Sequence, residues 1–180
     1  DLTGGGIRSF ADVQALVDAD ASRIVIGSLA VRDPAITKTI FKAFGPEKIC
    51  LAADVIWQND GFYIAVSGWQ EASSLLLFDF IETYQQDGLL HALCTDIDRD
   101  GTLTGCNRDL YEEVKQTYPK LQLQASGGVS MLLAASHASR LLTVLDVTVC
   151  RTSEMSPPAA QTTTNSQRAD ARGWRKRCGD

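Results

Sequence analysis

An α/β fold on a parallel sheet, of the β/α-barrel kind, follows from two observations. Apolar periodicity switches repeatedly along the chain between short β-branched runs and helical patterns, which is how β/α units with parallel strands read. Two glycine turns, Gly4-Gly5-Gly6 and Ser126-Gly127-Gly128, sit in equivalent places, each after a strand and before a helix. That equivalence predicts an internal repeat of a few β/α units.

The elements follow in order. Ser9 is placed to cap a helix from about Phe10 to Asp20, with Asp12 at the third position completing a short capping box. Arg23 to Ser28 reads as a strand, and Asp33-Pro34 starts a helix running to about Phe44. Lys48 to Val55 is the next strand, and Phe62 to Val66 is a hairpin arm built on its end across Asn59-Asp60-Gly61. A helix from about Ser74 to Gln86, a strand from Leu89 to Thr95, and a loop from Asp96 to Asn107 come next. Asn107 caps a helix over Arg108 to Tyr118, and Leu121 to Ser126 is the last regular strand. From Met131 the periodicity breaks down, although Leu141 to Val149 keeps strand character. Arg151 to Asp180 is rich in Thr, Ser, Gln and Arg, contains Pro157-Pro158, and ends in the basic run Arg172 to Arg177. The expected division is a partial β/α barrel over residues 1–150 and an irregular, mobile tail over 151–180.

A chain of 180 residues with 44% hydrophobic and 22% charged residues is a globular composition with enough apolar material for one sizeable core. The formal net charge of −5 gives no support to a nucleic-acid or anionic-membrane surface, and the basic end reads as solvated chain. A small anionic ligand must therefore be held by local donors. The cysteines, at positions 50, 94, 106, 150 and 178, form no C-x-x-C pair and no metal-like spacing with His91 and His137, so free thiols in a reducing cytoplasm are expected. The start, Asp1-Leu2-Thr3-Gly4, has no signal-peptide pattern, and no apolar run reaches the roughly 18 residues of a membrane span. A soluble, cytoplasmic protein with no membrane partner is the expectation.

The turns carry the chemistry. Glycine at a strand end lets backbone N–H groups converge without interference from Cβ, and the following helix points its positive end at the same spot, which makes a phosphate cradle. Gly27-Ser28 ends the neighbouring strand and is placed to complete one cradle beside Gly4 to Gly6. Asp54 lies at the end of the apolar run Ile49 to Ala53, where it reads as a general acid or as a turn cap. The loop Thr95 to Thr102 holds Asp96, Asp98 and Asp100, a set open to acid–base work or to a divalent cation, although the spacing fits an EF-hand poorly. Trp69, in Ser67-Gly68-Trp69-Gln70, is a candidate to stack a heterocycle, with a core tryptophan as the alternative.

Six stretches together resemble one family, the phosphoribosylformimino-aminoimidazole carboxamide ribotide isomerases of histidine biosynthesis. They are Gly4 to Ser9, Val25 to Ser28, Ala53 to Val55, Val66 to Glu71, Cys94 to Thr102 and Ala125 to Val129, in the family's order and spacing. The resemblance covers about residues 4 to 130, and its most specific parts are Ser67 to Gln70 and Arg99 to Thr102. It implies a (β/α)8 TIM barrel and a bis-phosphorylated small-molecule substrate. The implied reaction is an Amadori rearrangement of an aminoaldose to an aminoketose, an intramolecular oxidoreduction that needs no metal and no cofactor. An acid helps to open the ribose ring, and a base removes the proton beside the resulting Schiff base. The resemblance makes Asp54 the proton donor and Asp100 a second carboxylate, with Thr95 nearby. Trp69 would stack on the imidazole-type ring and Arg8 would contact the ligand. Gly5, Gly6, Gly27, Ser28, Gly127 and Gly128 would hold the phosphates.

Strands three to seven of the eight are recognisable. The family's proton acceptor, an Asp on the first strand, has no counterpart among these residues, and its Gly-Arg turn after the eighth strand is matched most nearly by Val149-Cys150-Arg151. A shifted reading frame and a divergent terminus both account for the change of character after Ser130. An incomplete barrel exposes raw sheet edges, which predicts self-association through them. Two further functional readings stand beside the isomerase: a non-catalytic phosphate-binding barrel remnant, and the sister cyclase of the same pathway, which shares the glycine turns but lacks the Trp69 stretch.

Overall fold

The structure, a computed structural model, describes residues 2–66, 68, 71–102, 105–128 and 147–149. Strands β1 (Leu2–Gly4), β2 (Arg23–Ile26), β3 (Ile49–Gln58), β6 (His91–Asp96), β7 (Gln122–Ser126) and β8 (Val147–Val149) lie side by side in that order. All five of these neighbouring pairs are parallel. Helices α1 (Phe10–Asp18), α2 (Ser28–Arg32), α3 (Pro34–Phe44), α4 (Leu77–Gln85) and α5 (Arg108–Thr117) fill the connections between β1 and β7. This is the parallel α/β architecture expected. Among the described residues β1 and β8 each have one partner, so the barrel is not closed.

Local chemistry explains where the elements begin. Ser9 Oγ accepts from Asp12 N at 3.3 Å and Asp12 Oδ2 accepts from Ser9 N at 2.9 Å, so the capping box forms as read. Asp33 Oδ1 accepts from Ile36 N at 3.0 Å, with Pro34 in the first helical position of α3. Asn107 Oδ1 accepts from Leu110 N at 3.3 Å at the start of α5. The hairpin on β3 is present too: β4 (Gly61–Val66) pairs antiparallel with it from Gln58↔Gly61, and Asn59 in the turn takes a φ of 52°.

Three boundaries differ from the sequence reading. The strand from Arg23 stops at Ile26, because Gly27-Ser28 turns into the short helix α2, which periodicity over five residues cannot reveal. Residues 74–76 belong not to a helix but to β5 (Glu71–Leu76), which pairs with β4, and α4 starts only at Leu77. The first helix ends at Asp18, since Asp20 turns to a φ of 62°. Of the strand read over Leu141 to Val149, Val147–Val149 is described and pairs with β7, and the tail over 151–180 lies outside the described residues.

The core lies between the sheet and the helices. Ile24, Ile26, Ile49, Leu51, Ala53 and Val55 are buried along β2 and β3, and Ile40, Phe41, Phe80, Tyr84, Tyr111 and Val114 meet them from the helices. Each fully buried large side chain contributes about 1.5–3 kcal/mol of transfer free energy. Tyr84 also donates its hydroxyl proton to Ala30 O at 2.5 Å, which ties α4 to α2 across the core.

Candidate functional site

A cavity of about 950 Å³ opens at the carboxyl ends of the parallel strands, a size within the ordinary range for small-ligand sites. Side chains alternate across each strand, so only every second residue reaches it. On β3 that alternation brings Ala52 and Asp54 to the cavity and sends Leu51, Ala53 and Val55 to the core. On β6 it brings Leu93 and Thr95.

Register sets a polar row across the strands. Asp54 pairs with Thr95 across β3 and β6, and Thr95 pairs with Ser126 across β6 and β7. All three line the cavity, as does Asp100 from the loop after β6. Oδ1 of Asp100 is buried and finds no hydrogen-bond partner among the described residues. A carboxylate oxygen buried in that way at a cavity wall is costly unless a ligand group meets it.

The other side of the cavity comes from β1 and β2. Gly5 and Gly6, at φ of 109° and 71°, form the turn after β1; such values favour glycine, and no neighbouring atom would touch a Cβ at either position. Gly27 and Ser28 follow β2 and face the same cavity. Arg8 lines it from the loop between β1 and α1, its backbone N–H donating to Asp12 Oδ2 at 2.9 Å. That bond, with the Ser9 contacts, holds the Asp12 carboxyl below its usual range.

The remaining sequence candidates lie elsewhere. Gly127 and Gly128 are buried and are not among the residues lining this cavity, although Ser126 of the same turn is. Their φ values are 91° and 73°, and a Cβ on Gly127 would overlap the Asp96 carbonyl, while one on Gly128 would overlap that of Gly105. Close backbone approach accounts for glycine there. Gly68 lines the cavity, but Trp69 lies outside the described residues. Asp96 and Asp98 do not line it. Cys94 is a free thiol within the core, and burial, then the Asp54 and Asp96 carboxylates, push it well above the usual thiol range.

Sequence reasoning missed Arg32, which ends α2 and brings a second guanidinium to the cavity. The available signal was a basic residue one helical turn beyond Gly27-Ser28, visible only once α2 is known to be a helix. The resulting wall carries Arg8, Arg32 and Asp33 from the β1 and β2 side and Asp54 and Asp100 from the β3 and β6 side. That arrangement can hold an anionic group at one end and present carboxyl groups to a reacting centre at the other.

The family model described as histidine biosynthesis protein matches residues 2–141. The chain belongs to that family. It is 52% identical over 130 residues to the 1-(5-phosphoribosyl)-5-((5-phosphoribosylamino)methylideneamino)imidazole-4-carboxamide isomerase of Klebsiella pneumoniae, covering 72% of this chain and 53% of the relative. The protein of the same name from Pectobacterium atrosepticum matches equally, at 52% over 130 residues, with the same coverage of each chain. That of Francisella philomiragia is 49% identical over 129 residues, covering 72% of this chain and 54% of the relative. The chain thus spans about half the length of the curated relatives it matches.

Proposed function

We propose that the cavity binds a bis-phosphorylated, ribosylamino-type substrate and that its chemistry is an aldose–ketose isomerisation; the relatives are named isomerases of a phosphoribosylamino-bearing imidazole carboxamide. One observation carries the reading: Gly5, Gly6, Gly27 and Ser28 share a single cavity with Asp54, Thr95 and Asp100. In this reading one phosphate sits against the Gly5-Gly6 and Gly27-Ser28 backbone, with Arg8 and Arg32 offsetting its charge. The turn of Ser126 to Gly128, which reaches the cavity through Ser126, serves the second phosphate, and Trp69 stacks the heterocycle.

Asp54 gives its proton to the ribose ring oxygen as the C1–O bond breaks, leaving a protonated Schiff base at C1. A base then takes the proton from C2, and the electron pair moves in to form an enolamine. Tautomerisation leaves a ketone at C2 and an amine-bearing methylene at C1, so no external oxidant is consumed. Thr95 hydrogen-bonds the reacting hydroxyl groups, and Asp100 is the second carboxyl group at the same centre. In this reading the protein works in the cytoplasm.

A non-catalytic, phosphate-binding role is favoured by one observation, the open β1 and β8 edges among the described residues. Pairing of those edges between copies belongs to that second reading. Incubating the purified chain with the bis-phosphoribosyl substrate, and separating product from substrate by chromatography, decides between the two. Turnover that disappears in Asp54→Asn upholds the isomerase. Saturable binding without turnover upholds the binding role, and absence of both ends each reading.

A further inference from the structure

Asp96 directly follows Thr95 on β6, yet its side chain points away from the cavity and is only 2% exposed. A carboxylate buried that deeply needs compensating donors, and it has three. Oδ1 accepts from the Asp98 backbone N–H at 3.1 Å, and Oδ2 accepts from Asn107 Nδ2 at 2.7 Å. The Arg99 guanidinium stands against Oδ2, with Nε at 3.5 Å. Asn107 in turn uses its own Oδ1 to cap α5, and Arg99 NH1 donates to Gly105 O at 3.3 Å. The Asp96 backbone carbonyl accepts from Arg99 N at 3.2 Å and is the surface on which Gly127 packs. Asp100 lies within the loop those bonds enclose, its N–H donating to Ile97 O at 3.2 Å.

We infer that Asp96 is a positioning residue: it ties the loop of residues 97–102, the cap of α5 and the Gly127 turn to the end of β6, and so holds the Asp100 carboxyl group at the cavity. This rests on the reading of Asp100 as a group that meets substrate. The network explains why a buried carboxylate stands beside the row of Asp54 and Thr95 without facing the cavity. Asp96 fixes the loop from behind while Thr95 faces the cavity, a division of labour imposed by strand alternation.

Residue-resolved amide hydrogen exchange on the full chain tests the proposal. Asp96→Asn keeps the shape but offers one acceptor, and Asp96→Ala offers none. Loss of a bond to a charged acceptor is expected to lower protection of the Asp98, Asp100 and Thr102 amides by about tenfold or more. The Ile24 and Gln122 amides in the sheet should keep theirs, and the alanine variant should show the larger loss. Protection unchanged at the loop, or lost evenly through the sheet, overturns the proposal. Should Asp96→Ala fail to fold, Asn107→Ala cuts the Oδ2 arm alone and is held to the same two outcomes. Affinity for the bis-phosphoribosyl substrate supplies an independent arm. Asp96→Asn should weaken binding in the native background and add nothing on an Asp100→Asn background, whereas additive losses overturn the positioning role. If Asp100→Asn leaves affinity and turnover untouched while the exchange pattern holds, the reading of Asp100 fails and the positioning of its loop stands.

Discussion

Asp54 on β3 is the direct register partner of Thr95 on β6, and both line one cavity. Two polar residues 41 positions apart in sequence thus stand side by side because parallel strands align their carboxyl ends.

Replacing Asp54 by Asn keeps the shape of the side chain and removes its capacity to deliver a proton. The expected outcome is a fall in turnover of about 10²–10⁴, the usual contribution of a general acid, with substrate affinity changed only slightly. Single-turnover kinetics beside equilibrium binding measure the two separately. Equal losses in both would place Asp54 in binding rather than in proton transfer.

Gly127→Ala forces a Cβ into the Asp96 carbonyl at a φ of 91°. A stability loss of about 1–3 kcal/mol is expected, read from urea midpoints. Gly5→Ala meets the backbone strain of a φ of 109° but no neighbouring atom, so its loss should be the smaller of the two. The reverse order would contradict the packing found at Gly127.

Burial is the main reason the Tyr84 phenol is pushed up to about 12 from its ordinary 10.0, with the Asp87 and Asp33 carboxylates adding to it and a Thr37 hydrogen bond opposing it. The folded value lies above the unfolded one, so the neutral phenol's contribution is complete below about pH 10 and is lost as the pH rises toward about 12. Urea unfolding between about pH 9 and about pH 11.5 should therefore show falling stability, with a shallower fall in Tyr84→Phe. Identical slopes would show that Tyr84 ionises freely in the folded chain.

Lys115 is a buried cation, 7% exposed, whose Nζ donates to Pro119 O at 3.0 Å and to Leu121 O at 2.8 Å. It closes the end of α5 onto the start of β7. Lys115→Met keeps the stem and leaves both carbonyls without their donor, at an expected cost of about 1.5–3 kcal/mol. A melting temperature equal to that of the native chain would count against this role.

Much of this was legible in the sequence because it is local. Ser9 with Asp12, Asp33 with Pro34, and Asn107 each start a helix through bonds to residues three positions away, so a short window carries the whole signal. The strands bearing Asp54 and Thr95 were legible for the same reason, as short apolar runs between turns. β5 and α2 were not, because a five-residue helix and an arm paired only with a neighbouring strand leave no periodicity of their own. Arg32 was missed together with α2.

The alternation of strands and helices, the glycine turns and the residues able to do acid chemistry can all be read from the order of residues. Which of those residues meet depends on the assembled sheet. Asp54, Thr95 and Ser126 became neighbours through strand register, and Asp96 at the end of β6 and Asp100 in the loop after it were sorted to opposite sides of the strand end. Helix caps are settled by bonds within a single turn, whereas register and facing depend on how remote strands stack, and residue identity at one position carries no record of that.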